Sequence, residues 1–164
     1  MKALIAYFSV TGRNGQIAKA LDQALRERGY STERFYLEPV KKMSVTGAIA
    51  RSVFARPMEL TRIPDLTGYD LLAIVGPVWA SRVNPPVRAF LNAVSHMEGR
   101  TVINVVGGFN PHENVVKEID RELRRRQAGP IISSAVRMRD VDTPEKTMII
   151  AREIVGHLPE ESGS

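Results

Sequence analysis

The chain has 164 residues, of which 43% are hydrophobic and 25% charged, as is typical of one globular domain with a single core. It contains no cysteine, which excludes disulfides, thiolate catalysis and cysteine-ligated zinc or iron–sulfur clusters. The net charge of +5 favours anionic ligands. The basic residues are spread along the chain without the interleaved aromatic side chains that nucleic-acid binding needs, so no nucleic-acid partner is expected.

The N-terminus lacks the features of a signal peptide, and no apolar run approaches the roughly 18 residues that span a bilayer. We therefore expect a cytoplasmic protein without a membrane span. The three histidines, at positions 96, 112 and 157, show no ligand spacing, so no metal site is expected. Residues 1–158 are expected to form one domain and residues 159–164 a disordered tail.

Strand-like and helical patterns alternate along the chain. Strands are predicted at residues 3–8, 31–37, 71–75, 102–106 and 131–136. Helices are predicted at residues 12–28, 85–97, 111–127 and 143–157. This alternation predicts a doubly wound α/β domain, in which a five-stranded parallel sheet is covered by helices on both faces.

The segment between the second and third strands, residues 38–67, is irregular and basic. A helix is predicted within it at about residues 45–54. A connection of this length in a compact domain is either functional or a plain surface crossover, and the sequence leaves both alternatives open.

The first loop follows an apolar strand directly and opens an amphipathic helix. Ser9, Thr11 and Asn14 lie in this turn, where the first N–H groups of the helix have no intrahelical partner and the helix dipole is positive. Such a turn can bind a phosphate group. The alternative is that Ser9 or Thr11 is simply the N-cap of the helix. The turn lacks the Gly-Lys-Ser/Thr ending of a P-loop, so a nucleoside triphosphate is not expected.

Ligands of open α/β sheets bind beyond the carboxyl ends of the strands. This rule brings three loops together, at residues 9–14, 76–84 and 107–110. The second contains Trp79, the only tryptophan, and the third contains two glycines that allow close backbone approach. A phosphate site beside an exposed aromatic side chain suggests a ligand with a flat ring.

With these three loops in order on a five-strand pattern, the chain resembles the flavodoxin-like family of FMN-binding proteins over essentially its whole length. Residues 7–14 are similar to the family's phosphate loop. Residues 76–79 and the following 84–91 are similar to its first flavin loop and the next helix, and residues 107–110 fall where its second flavin loop belongs. The resemblance implies the short form of the fold, with strand order 2-1-3-4-5 and FMN as the cofactor.

The resemblance also implies a role for each loop residue. Ser9, Thr11, Gly12 and Asn14 would hold the FMN phosphate, assisted by the amides of Val10 and Arg13. One side of the isoalloxazine ring would be lined by Pro77, Val78, Trp79 and Ala80, and its pyrimidine edge and second face by Gly107, Gly108, Phe109 and Asn110. The flavin would carry the chemistry, so no catalytic protein residue is expected.

Two departures from the family pattern bear on the reaction. After Trp79 the chain has Ala80-Ser81-Arg82 instead of a glycine whose peptide can turn over, and the chain is basic where flavodoxins are usually acidic. These departures favour an NAD(P)H-dependent quinone-type reductase in which Arg82 stabilises anionic reduced flavin, although Arg82 can equally be a solvated surface arginine.

Three functions therefore remain open. The first is an electron carrier between a reduced donor and a redox partner protein or a small-molecule acceptor. The second is the FMN-dependent reductase, for which NAD(P)H is the donor. The third is a flavin-free interaction module on the same fold. The sequence does not determine the oligomeric state.

Overall fold

The computed structural model describes residues 1–41, 58–110 and 113–160. The strands in these residues are β1 Lys2–Tyr7, β2 Ser31–Tyr36, β3 Leu71–Trp79, β4 Arg82–Val83, β5 Thr101–Gly108 and β6 Ile131–Arg137. They form one sheet with the spatial order β2-β1-β3-β5-β6, and all neighbours along this path are parallel. The short strand β4 pairs antiparallel with the end of β3. When β4 is left out and the five long strands are renumbered 1 to 5 in chain order, their spatial order is 2-1-3-4-5, as predicted.

Helices cover both faces of this sheet. They are α1 Arg13–Glu27, α2 Pro85–Ala93, α3 Glu113–Arg125 and α4 Pro144–Gly156, and a short 3₁₀ turn at Met138–Val141 follows β6. Alternate residues of β1 face opposite layers, as the period of a strand requires. Ala3 and Ile5 belong to the core beneath α1 and α4, whereas Leu4 and Ala6 belong to the core beneath α2 and α3. The predicted doubly wound α/β architecture is confirmed.

The apolar stripe of α1 behaves as its spacing predicts. Ile17, Leu21 and Leu25 are all buried, with at most 2% of each residue exposed. The helix ends before Gly29, which has a φ of +87° and is thus in the left-handed conformation that glycine adopts without strain.

Some predicted boundaries are wrong. The third strand continues through Gly76 to Trp79, because its end pairs with β4 and with the end of β5. Helix α2 ends at Ala93, four residues early, because Val94 is extended. The predicted helix at residues 45–54 lies outside the described residues, as do the predicted start of the third helix at Pro111 and the end of the predicted tail.

Two helices begin with a capping residue followed by a proline. Asn84 precedes Pro85 and accepts the N–H of Val87 at 3.0 Å, and Thr143 precedes Pro144 and accepts the N–H of Lys146 at 3.3 Å. Asn84 also donates from Nδ2 to the carbonyl of Pro77 at 2.8 Å. It therefore fixes the start of α2 to the end of β3.

Candidate functional site

The three predicted loops meet at the carboxyl edge of the sheet and enclose a pocket of about 520 Å³. This volume falls within the range of small-molecule sites in proteins. The pocket is lined by Val10, Thr11, Arg13, Asn14, Pro77, Val78, Trp79, Gly107, Gly108, Phe109 and Met138. Four predicted site residues, Ser9, Gly12, Ala80 and Asn110, adjoin these in sequence but are not in its lining.

The first loop, residues 9–14, joins β1 to α1. Gly12 is the N-cap of the helix, with a φ of +84°, and no side chain caps the helix. The alternative that Ser9 or Thr11 serves as the N-cap is therefore wrong. A glycine N-cap leaves the hydroxyl groups of both residues available for another partner.

The backbone amides of this loop are also without partners. In the part of the chain that the structure describes, the N–H groups of residues 10–15 donate to no acceptor, and the helical ladder starts with Gln16 donating to Gly12. Successive unpaired N–H groups at a helix start form a concave site for an anion.

Two polar side chains of the loop are buried without a hydrogen-bond partner. These are Ser9, through Oγ, and Asn14, through Oδ1. Only 5% of Asn14 is exposed, yet the residue lines the pocket. Because its Oδ1 lies against Gly107, the amide nitrogen Nδ2 is the donor that this side chain can offer to a ligand. Unpartnered buried polar groups are uncommon in folded proteins and indicate a missing partner.

The second predicted loop, residues 76–84, consists largely of the end of β3 and of a tight β-hairpin with β4. Trp79 pairs with Arg82, and the two central residues, Ala80 and Ser81, have φ values of +47° and +56°. Positive φ at both positions is the geometry of a type I′ turn, which matches the twist of the flanking strands. The half-buried Trp79 packs edge to face on Phe8, with ring centroids 5.6 Å apart.

The third loop follows β5. Gly107 is buried and Gly108 half-buried, while 83% of Phe109 is exposed. The guanidinium carbon of Arg13 lies 5.7 Å from the centroid of the Phe109 ring, within the range of a cation–π contact. This contact joins the first loop to the third.

Two residues next to the site were not predicted from the sequence. Met138, in the 3₁₀ turn after β6, lines the pocket. Tyr36, the last residue of β2, donates its hydroxyl to the carbonyl of Ser9 at 3.3 Å. No motif marks either residue, because both reach the site through the lateral pairing of strands.

Two arginines lie in or beside the pocket. Within the described ranges, neither Arg13 nor Arg82 forms an ion pair. Arg13 lines the pocket. Arg82 is directly opposite Trp79 in the β3–β4 ladder, so the side chains of Arg82 and Trp79 lie on the same face of the hairpin. An anionic ligand is therefore favoured electrostatically.

Comparison with known proteins was informative only at the level of structure. No family model matches the chain, and no curated protein sequence matches it. A candidate flavoprotein from Bacteroides uniformis superposes with a TM-score of 0.68 at 20% identity, over 94% of this chain and 97% of its own. Flavodoxin 2 from Bacillus cereus superposes with a TM-score of 0.60 at 19% identity, over 96% and 100%. The chain has the flavodoxin-like fold.

A third structure with the flavodoxin-like fold contains a ligand. It is a flavoprotein from Lactobacillus acidophilus in complex with FMN, with a TM-score of 0.63 at 18% identity, over 86% of this chain and 96% of its own. These similarities cover nearly the whole length of each protein, so the flavodoxin-like fold extends over the chain and not over a fragment of it.

Among the described residues, no helix is both long and apolar enough to cross a membrane. The same residues contain no group of His, Asp and Glu side chains that could hold a metal ion.

Proposed function

We propose that the pocket binds FMN and that the chain is a flavodoxin-like redox protein. The run of unpartnered N–H groups at residues 10–15 is the observation that carries this proposal. A phosphate group satisfies several such donors at once and is stabilised by the dipole of α1. The hydroxyl of Ser9 is a further buried group that lacks a partner and can donate to a phosphate oxygen; the unpartnered atom of Asn14 is its amide oxygen Oδ1, an acceptor, so this residue would contribute through Nδ2.

The rest of the pocket suits a flat heteroaromatic ring. Val78, Trp79, Phe109 and Met138 provide apolar and aromatic surface, and the glycines of the third loop let the backbone approach a ligand closely. The Lactobacillus acidophilus flavoprotein, which has the same fold, was solved in complex with FMN. This agreement between fold and pocket supports FMN over other phosphorylated aromatic ligands.

Each loop has a separate part in holding the cofactor. The phosphate would be held by Ser9, Thr11, Gly12 and Asn14 with the amides of Val10 and Arg13, and the ring by Pro77, Val78, Trp79 and Ala80 on one side and Gly107, Gly108, Phe109 and Asn110 on the other. When bound, FMN supplies one-electron and two-electron redox chemistry. The protein orients the ring, excludes water from the faces that it covers and places positive charge nearby.

The β3–β4 hairpin favours two-electron transfer, and hence a reductase, over a one-electron carrier. In a loop that has glycine after the aromatic residue, the peptide at that glycine can turn over when the bound flavin is reduced. Here Ala80 and Ser81 are the two central residues of a type I′ turn. Turn types that need glycine at the first central position would be energetically unfavourable with Ala80 at that position. Arg82, which has no ion-pair partner among the described residues, places a positive charge on the Trp79 side of the pocket, where it would stabilise an anionic ligand.

Cofactor binding is tested by mixing the purified protein with FMN, desalting it and recording its absorbance spectrum. We expect retained flavin absorbance. Replacement Trp79→Ala is expected to weaken FMN binding by about 5-fold to 150-fold, the effect of losing about 1–3 kcal/mol of stacking. The matched control is Ile149→Ala, an exposed residue on α4, which should bind like the wild type. Loss of all flavin on desalting, with no binding in a titration, would contradict the proposal and favour a flavin-free interaction module.

The number of electrons is tested by stepwise anaerobic reduction of the FMN-loaded protein. A reductase predicts that the absorbance changes in one two-electron phase, and that NAD(P)H is oxidised steadily when a quinone is added. A carrier predicts two resolved one-electron phases and little turnover with NAD(P)H and the quinone. Replacement Arg82→Ala should shift the reduction potential of the flavin if Arg82 lies near the ring, and should leave it unchanged if Arg82 is a solvated surface arginine.

A further inference from the structure

Tyr36 lies outside all three loops, yet it contacts the backbone of the first. Its hydroxyl donates to the carbonyl oxygen of Ser9 at 3.3 Å. In a trans peptide the carbonyl and the following N–H point in opposite directions. The bond that holds the Ser9 carbonyl towards β2 therefore turns the N–H of Val10 away from Tyr36. That N–H has no acceptor among the described residues.

The aromatic ring of Tyr36 is fixed by its neighbours. It stacks on Phe8 with centroids 5.9 Å apart and meets Tyr7 edge to face at 5.4 Å. The register of β1 and β2 pairs Tyr36 directly with Tyr7, so this side chain, although 40% of the residue is exposed, extends from a paired strand end and not from a loop. Residues held in this way position a bound group more accurately than loop residues do.

The protonation state of Tyr36 suits a donor. Burial raises the pKa of its hydroxyl above the ordinary value, and the nearby Tyr7 and Glu38 raise it further. The hydroxyl is therefore neutral and able to donate throughout the neutral pH range.

We propose that Tyr36 is a positioning residue for the phosphate of the cofactor. It does not contact the phosphate itself. By holding the Ser9 carbonyl, it fixes the Ser9–Val10 peptide in the orientation that directs the Val10 N–H to the anion site. This inference rests on the proposed function, because it requires that the first loop binds the FMN phosphate.

The test compares FMN with riboflavin, which has the same ring system but no phosphate. Affinities for both are measured by titration with wild-type protein and with Tyr36→Phe, which keeps the ring stacking and removes only the hydroxyl. FMN affinity is expected to fall about 2-fold to 10-fold, the usual effect of losing one hydrogen bond of about 0.5–1.5 kcal/mol, while riboflavin affinity stays the same.

The matched control is Tyr7→Phe. It removes a hydroxyl from the neighbouring ring, and that hydroxyl makes no bond to the first loop within the described residues. This variant should keep the wild-type ratio of FMN to riboflavin affinity. Thermal unfolding of each ligand-free variant shows that it is folded before it is titrated.

The outcomes separate this inference from the proposed function. If wild-type protein binds FMN more tightly than riboflavin and Tyr36→Phe keeps that ratio, the positioning role of Tyr36 is wrong and FMN binding stands. An equal loss for both ligands would also contradict it, since that result indicates a change in the ring pocket. If wild-type protein binds neither ligand, both proposals fail.

Discussion

Gly107 lies where the backbone of the third loop meets the side chain of Asn14. A Cβ atom at position 107 would lie 2.2 Å from Oδ1 of Asn14 and 2.6 Å from Cε of Met138. The Met138 methyl group can move aside, but Asn14, of which only 5% is exposed, has little room to move except towards the pocket. A glycine is therefore needed here for space and not for an unusual backbone angle, and the amide of Asn14 is held in place by it.

For this reason Gly107→Ala should displace Asn14 and weaken the phosphate site. We expect a loss of about 1–3 kcal/mol in the free energy of unfolding from overpacking, together with weaker FMN binding in the same titrations. Gly156→Ala is the control, since a Cβ on that glycine meets nothing within 4 Å. It should leave FMN affinity unchanged. Equal FMN affinity of the Gly107→Ala protein and the wild type would show that Asn14 is not needed for binding.

At the scale of helices, α1 and α4 are joined through Arg28. This half-buried arginine follows α1 and donates to three carbonyl oxygens at the end of α4: Val155 at 2.5 Å, Leu158 at 3.0 Å and Pro159 at 3.4 Å. A cation at a helix C-terminus satisfies carbonyls that have no intrahelical partner and complements the helix dipole. A second link, the ion pair between Glu27 and Arg152, lies on the surface.

Burial makes the two links unequal. Arg28→Ala should lower the free energy of unfolding by about 1–3 kcal/mol, because the carbonyl of Leu158 loses its donor and that of Val155 keeps the N–H of Leu158 alone. Arg152→Ala should change it little, because exposed ion pairs are screened by solvent. Urea unfolding of both variants checks this order, and Arg28→Lys shows whether one cation can replace the forked guanidinium. A larger effect of Arg152→Ala would contradict the assignment.

The long elements could be predicted from the sequence because their apolar periods are clear, as in α1. The hairpin could not, since Ala80 and Ser81 lack the Asn-Gly or Asp-Gly signal of a two-residue turn. The end of α2 was missed because no glycine or proline directly follows Ala93; the next glycine is Gly99. Of the candidate site, the loop residues were predictable from strand ends and motifs, whereas Tyr36 and Met138 depend on strand pairing, which leaves no local signal.

At the scale of the whole molecule, the net charge of +5 sets the kind of acceptor that the pocket meets fastest. A positive field raises the encounter rate of anions, and salt screens it. With the FMN-loaded, reduced protein we expect a sulfonated quinone to react severalfold faster than a neutral quinone of similar potential at low salt. This difference should shrink as ionic strength rises. Stopped-flow oxidation measures both rates.

A charge-reversed pair of variants separates the local field from the total charge. Arg82→Glu and Arg124→Glu change the net charge equally. Arg82 lies beside Trp79 at the carboxyl ends of the strands, whereas Arg124 lies in the last turn of α3, which leads into the start of β6 and therefore lies at the amino ends of the strands. The preference for the sulfonated quinone should fall more in Arg82→Glu. Equal effects of the two variants would show that only the total charge matters.

The link from Asn84 to Pro77 determines when the pocket wall is ordered. Because Asn84 holds Pro77, at the base of the hairpin, to the start of α2, we expect the side of the pocket that contains Trp79 to become ordered on folding and not on ligand binding. The loss of conformational entropy at this wall is then part of the folding free energy and does not reduce ligand affinity. A ligand should therefore associate in a single kinetic phase, with no slow rearrangement of this wall after the first encounter.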